Sequence, residues 1–445
     1  MIDSKMPQIA KLPLSKKVLY SLGQLGVEMP AFFLSTYIFI FYAPLQGEKI
    51  VASSLVGSAV FAGTLIQAFS NPFIGNFSDK MMFKVGRRRF FILTGFIPLT
   101  VFFALIWFPF LSGMSMAILL ALYLMLFNLF FAYVVLPYQA LIPEIAISSG
   151  DRVVLTTIAS YFTITGIILA SIIPSILLYL HFSFSTIGAI ISVITAITYL
   201  IVGITIKENR IDNPVPRDYS VAKAFVQTFK NRTFDRYIIA YLFFQFGFYF
   251  FEASLGYYVE DIVMPGNASY ASFIGLYTLV AVISAIIFSP VLVKFTKKYG
   301  EKRAFIVFMS FLGSVVLLAY TVGLIHIISN VVQMFIIMIL AGLGLASYFI
   351  LPNAIVSEII DEDEMLTGYR REGMYFGVQG LLERIPSGLS GFVLGLWITY
   401  MYLPTHNSLF IRDLSLIGGI PIIINAILFI FVPLKQDIKI AHKMP

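Results

Sequence analysis

What most constrains this chain is a row of twelve apolar stretches, each long enough to cross a lipid bilayer. They run at roughly 18–44, 52–78, 90–112, 114–145, 154–180 and 183–206, and resume at 236–260, 270–293, 304–326, 330–358, 373–402 and 414–434. In oil, every backbone N–H and C=O must be satisfied within its own segment, so each stretch is expected to be a helix. Composition agrees. Of 445 residues, 59% are hydrophobic and 12% charged, whereas soluble domains carry about 25% charged residues. Such a chain cannot cover its surface in water. Disorder, a disulfide-stapled secreted domain and a soluble enzyme are excluded. With no cysteine and four scattered histidines (181, 326, 406 and 442), neither a cofactor nor a metal cluster is expected. The fold class is all-α membrane protein.

Basic residues set the orientation. Of 30 lysines and arginines, 27 fall in the tails or in connections on one side of the expected spans, including Lys80 to Arg89, Lys207 to Arg236 and Lys294 to Arg303. Only Lys49 and Arg412 face the other side, and Arg384 falls inside a span. The positive-inside rule therefore places both termini in the cytoplasm and the chain in the cell membrane. The net charge of +7 is read as topology and not as a nucleic-acid footprint. Residues 1–17 read as a polar tail and not as a signal peptide. Val221, Phe225 and Phe229, with Lys223 between them and Lys230 and Arg232 just after, predict a short interfacial helix on the anionic inner leaflet.

The two halves echo each other. Gln24-Leu-Gly26 matches Gln245-Phe-Gly247, and Asn71-Pro72 matches Ser289-Pro290. Gly86-Arg-Arg-Arg89 matches Gly300-Glu-Lys-Arg303, and Leu136-Pro137 with Glu144 matches Leu351-Pro352 with Glu358. Ordered matches at nearly constant offset predict a duplication. The expected organisation is a six-helix bundle over 1–206, a cytoplasmic connection over 207–235 and a second six-helix bundle over 236–445, the plan of major-facilitator transporters with a site between the halves near mid-membrane.

Ionisable groups in lipid cost several kcal/mol, so each is a functional candidate. Glu28, Glu252, Glu383 and Arg384 all fall within expected spans. Glu28 is the first candidate, a carboxylate able to grip substrate hydroxyls and exchange a proton, with Arg384 as its coupling partner. A plain ion pair between Arg384 and Glu28 or Glu252 is the structural alternative. Neighbours on a helix point about 100° apart, so Glu383 and Arg384 are not expected to face one cavity together. Gln24, Asn128, Tyr138, Gln139, Gln245 and Gln379 extend the expected substrate wall, since amides and phenols beside aromatic faces suit a polyhydroxylated ligand. Asp79, Arg87, Arg88, Arg89, Glu144 and Glu358 are the expected gate residues at the basic ends of the spans.

Asn71-Pro-Phe-Ile-Gly-Asn-Phe-Ser-Asp79 with Gly86-Arg-Arg-Arg89, Pro137 to Glu144, and Glu358 to Gly373 together resemble the glycoside–pentoside–hexuronide:cation symporters of the major facilitator superfamily, the melibiose-permease-like branch, related to sucrose transporters. The resemblance implies alternating access and sugar symport with sodium or protons. Glu28 falls where that branch carries a sugar-binding aspartate, and Arg384 where it carries a functional lysine. The sodium-caging aspartates of span two become Gln67 and Asn71, the acidic or amide position before the span-four proline becomes Val135, and the span-five arginine becomes Ser160. Sodium prefers carboxylate-containing oxygen cages, so proton coupling or no coupling is expected. The expected partners are a sugar or glycoside, a co-transported proton and membrane lipid. The rivals are an uncoupled facilitator or exporter of an amphiphile, and a membrane sensor that binds without transporting.

Overall fold

Every expected apolar stretch is a helix. The computed structural model describes residues 12–81, 83–146, 148–208, 228–368 and 372–434. The side chains of Asp79, Lys80, Ser149, Leu366, Thr367, Glu372 and Gly373 lie outside that description, as do most of the connection and the expected interfacial helix at 221–229. The spans are α1 (Leu14–Tyr42), α2 (Ser53–Ser78), α3 (Arg87–Ile106), α4 (Gly113–Ile145), α5 (Gly150–Tyr179), α6 (Phe184–Thr205), α7 (Arg232–Val263), α8 (Tyr270–Tyr299), α9 (Glu301–Thr321), α10 (Asn330–Met365), α11 (Met374–Tyr402) and α12 (Leu409–Ile430). Among the described residues there is no strand.

Local chemistry starts and interrupts these helices. Ser148, Ser183, Asn231 and Ser329 cap helix N-termini, each accepting a backbone N–H two or three residues on. Prolines 72, 137, 290 and 352 lie inside helices, at the positions that the sequence repeat pairs. Membrane helices tolerate them because neighbouring helices re-satisfy the freed carbonyls. Within α11, Pro386 has no N–H to offer the Leu382 carbonyl, while the backbone at Glu383 stays helical and bonded to Gln379.

Packing follows the repeat. In the first six spans α2 and α3 pack on α4, α1 on α5 and α6, and α3 on α6; in the second six, α8 and α9 pack on α10, α7 and α9 on α12, and α7 on α11. The two groups meet along α2 with α11, α5 with α8, and α1 with α7. A buried ion pair, Lys17 Nζ to Asp151 at 2.6 Å, ties the start of α1 to α5.

The basic residues gather at one end of the helices, here the basic end. At the opposite, far end the two groups close tightly. A Cβ on Gly57 would fall 2.5 Å from the Gly391 carbonyl, and glycines 388, 395 and 275 sit as close to Thr64, Ser53 and Ser171. Ser54 N–H donates to Thr399 Oγ1 (2.9 Å), and Tyr257 donates to the Ala43 carbonyl (2.9 Å). Glu260, 1% exposed, accepts the backbone N–H groups of Leu45 (3.0 Å) and Gln46 (2.8 Å) across the seam. Toward the basic end the same helices part: Gly75 on α2 and Gly377 and Gly380 on α11 have open space before them.

Candidate functional site

Between the two groups lies a cavity of about 600 Å³. The first group contributes Glu28 and Ser35 from α1, Gln67 and Asn71 from α2, Gln139 from α4 and Thr163 from α5. The second contributes Tyr241, Phe248, Tyr249 and Glu252 from α7, Tyr348 and Asn353 from α10, and Gln379, Glu383, Arg384 and Ser387 from α11. Gln139 and Asn353 line the wall yet are exposed, so the cavity opens toward the basic end. Carboxylates and amides come from both groups, and the second adds aromatic rings: the Tyr348 ring lies 4.9 Å from that of Phe248 and 5.1 Å from that of Phe244. This pairing of a flat apolar face with donors and acceptors is what a ring bearing hydroxyls needs.

The polar groups are partly unspent. Glu252 Oε1 and Ser35 Oγ share a hydrogen bond of 2.8 Å, a bond that joins the two groups of spans. Glu383 accepts from Tyr249 at 3.3 Å. Asn71 Oδ1, Gln379 Oε1 and Arg384 Nε are buried and have no hydrogen-bond partner. Among the described residues, Arg384 reaches no carboxylate at ion-pair distance, so the expected structural pair with Glu28 or Glu252 is not formed.

The expected substrate wall is only partly assembled. Glu28, Gln139, Glu252, Gln379 and Arg384 line the cavity. Asn128 lines a side chamber instead, and its Nδ2 donates to the Leu124 carbonyl at 2.8 Å. Tyr138 belongs to the core: it is fully buried, stacks on Tyr20 at 4.6 Å and trades hydroxyl-to-carbonyl bonds with it at 2.9 Å. Gln245 stands behind the wall, fully buried, and donates to Tyr241 Oη at 3.0 Å. Gln24 is not part of the cavity wall. Glu383 and Arg384 both line the cavity, although neighbours on a helix point about 100° apart. Ser35, Tyr241, Tyr348 and Ser387 are wall residues that sequence reasoning missed. Serines and tyrosines are common in apolar helices, and nothing in the pattern marks these.

At the basic end, Arg87 and Arg88 each reach Glu144 at 2.5 Å. Arg89 donates to the Gly203 and Ile204 carbonyls that end α6. Glu208, just past α6, accepts the N–H groups of Arg88 (2.9 Å) and Arg89 (3.0 Å), an anion on the N-terminus of α3. Burial, helped by the neighbouring Glu144 carboxylate, pushes Glu208 above its ordinary value despite those two donors. Glu358 holds the matching position near the basic end of α10 and is half-buried. The Asp79 side chain, the remaining expected gate group, lies outside the described residues.

Comparison with known proteins agrees with this architecture. An uncharacterized symporter of Synechocystis sp. is 24% identical over 87% of this chain and 85% of its own length. The isoprimeverose transporter of Lactiplantibacillus pentosus is 24% identical over 86% of this chain and 80% of its own. The crystal structure of a D-xylose–proton symporter superposes with a TM-score of 0.69 over 94% of this chain and 98% of that one, at 14% identity, which shows the shared fold. The model of the family described as MFS/sugar transport protein matches residues 19–435. A multi-pass helical membrane protein with a two-walled cavity between its halves, this chain belongs to the MFS/sugar transport protein family of transporters.

Proposed function

We propose that the protein carries a sugar or glycoside across the cell membrane by alternating access, coupled to protons and not to sodium. The basic end is cytoplasmic, with both termini there, and the bundles of 1–206 and 236–445 rock about the cavity. The observation that carries this reading is a 600 Å³ cavity with carboxylates and amides from both halves, sealed at the far end and open at the basic end. That is the inward-facing state of a carrier. A relative named for isoprimeverose supports a sugar as the solute. In place of sodium-caging carboxylates the α2 wall offers the neutral amides Gln67 and Asn71, which supports proton coupling.

In this cycle Glu28 accepts hydroxyl hydrogen bonds from the sugar and exchanges the co-transported proton, with Arg384 on the same cavity as its coupling partner. The aromatic wall receives the ring face. The test is uptake into proteoliposomes under an imposed proton gradient or an imposed sodium gradient. Accumulation under the first alone supports the reading; accumulation driven by sodium, or no flux of any sugar, refutes it. Glu28→Gln is expected to abolish uphill uptake while exchange between equal pools persists. A Glu28→Gln protein that still concentrates solute removes Glu28 from the coupling step.

A further inference from the structure

Glu252 on α7 and Ser35 on α1 meet across the seam between the two halves, Oε1 to Oγ at 2.8 Å. The same Oγ lies 3.0 Å from the Phe32 carbonyl, one helical turn back. We infer that Glu252 is a neutral carboxylic acid that donates its proton to Ser35 and keeps it while the solute and the coupled proton come and go. This rests on the proton-coupled reading above and divides the cavity's carboxylates into one that exchanges and one that holds.

A hydrogen count comes first. A hydroxyl has one hydrogen, and a protonated carboxyl adds another. With Glu252 ionised, Ser35 must divide its one hydrogen between the carboxylate and the Phe32 carbonyl. With Glu252 protonated, each contact has its own: Ser35 donates to Phe32, a familiar back-bond of a helical serine, and accepts from Glu252. A charge count agrees. Among the described residues the cavity wall holds Glu28, Glu252 and Glu383 with one cation, Arg384, and its other titratable groups are tyrosines 241, 249 and 348. The wall residues of α2, α4, α5, α8, α9 and α12 include none. Three carboxylates around one guanidinium leave two negative charges unbalanced between membrane helices, which disfavours ionising all three.

The three carboxyls are held differently. Glu383 has the Tyr249 hydroxyl to accept from, at 3.3 Å. Glu28 has no hydrogen-bond or ion-pair partner among the described residues and faces the cavity that opens to the basic end. A group that gives up its proton there must be left free there, as Glu28 is. Glu252 instead spends its proton on the innermost of three bonds that run along α1 and α7 toward the far end. The others join Tyr257 to the Ala43 carbonyl, and Glu260 to the Leu45 and Gln46 amides. A neutral acid serves as an amide would, holding Ser35 without burying a charge. Glu252 is thus a positioning residue, and two carboxyls in one site take opposite protonation states and separate roles.

The first test is infrared spectroscopy of the purified protein in lipid. The parent should show a protonated-carboxyl carbonyl band at neutral and mildly alkaline pH that Glu252→Gln lacks and Ser35→Ala shifts. Identical parent and Glu252→Gln spectra, or a band that titrates away by neutral pH, overturn the inference. If Glu252→Gln does not fold, Ser35→Ala decides: a shifted band supports, an unmoved one overturns. The second test counts protons per solute in proteoliposomes, with the sugar that accumulates in the uptake test above. Whatever its rate, Glu252→Gln should keep the parent's ratio and still accumulate solute uphill. Glu252→Ala, with no donor for Ser35, should run about tenfold slower than Glu252→Gln. A lowered ratio in Glu252→Gln, or exchange without accumulation, makes Glu252 a coupling group and overturns the inference. Sodium-driven uptake sinks the proton-coupled reading but leaves the infrared band in place. A missing band sinks this inference and leaves coupling at Glu28 standing.

Discussion

Glu208 shows how one side chain at the membrane surface couples fold to pH. Its carboxylate accepts two backbone N–H groups at the start of α3, yet burial and Glu144 outweigh them and raise its proton affinity. The folded protein therefore binds a proton at Glu208 more tightly than the unfolded chain does. Linkage then makes stability fall as pH climbs from the ordinary value of 4.5 through the raised one. Glu208→Gln should flatten that slope, so that the melting temperatures of variant and parent diverge between mildly acidic and neutral pH. Parallel curves would show that Glu208 does not titrate differently on folding. The same scale shows what could be read without coordinates. Glu28, Glu252, Gln139, Gln379 and Arg384 were legible because a charge or amide in an apolar run has few reasons to be there. Tyr138 was misplaced because burial beside a carbonyl satisfies a hydroxyl as well as a ligand does, and Gln245 because it stands one layer behind the wall, on Tyr241. The missed wall residues, Ser35, Tyr241, Tyr348 and Ser387, take their role from which helix they face, and no one-dimensional pattern carries that.

At the scale of elements, the far-end seal is a contact of α11 on α2 made possible by small residues. Gly388, Gly391 and Gly395 recur at spacings of three and four, so they lie along one face of α11, against Thr64, Val60 and Ser53. A Cβ at Gly395 meets the Ser53 backbone, which cannot swing aside as a flexible side chain can. Gly395→Val should therefore cost about 1–3 kcal/mol of overpacking in the sealed state, lowering the midpoint of thermal unfolding and slowing transport. An unchanged midpoint would mean that α11 stands off α2 in the resting protein. Glu260 holds the same seal by charge, with its carboxylate on the Leu45 and Gln46 amides. Glu260→Ala leaves those two N–H groups unmatched and should bias the protein toward the far-side-open state. The chain has no cysteine, so a single cysteine introduced at the seam needs no background removal. Its labelling by an impermeant thiol reagent from the far side should rise in Glu260→Ala, and equal labelling in both proteins would dismiss the latch. The twelve spans were legible because oil forces helices on long apolar runs. The seal was not, because it depends on a glycine face meeting a particular neighbour.

For the whole molecule, the repeat and the basic residues already implied two bundles with one common basic end. What neither could supply is the electrical sign of a turnover. One proton entering with a neutral sugar moves one net charge, worth about 2.3 kcal/mol per 100 mV, or roughly fifty-fold accumulation. If the solute is instead an acid, the same proton enters with an anion and the pair is neutral. Membrane potential then does no work on the step, and only the difference in pH drives it. Proteoliposomes with a valinomycin-clamped potential separate the two cases. With an acidic sugar, an inward pH gradient at zero potential should give full accumulation, and an imposed negative potential at equal pH should give none. Uptake of that sugar that rises with potential at equal pH would require a second proton or another cation, and Glu252, bonded across the seam to Ser35, is where a second proton would then be sought by Glu252→Gln.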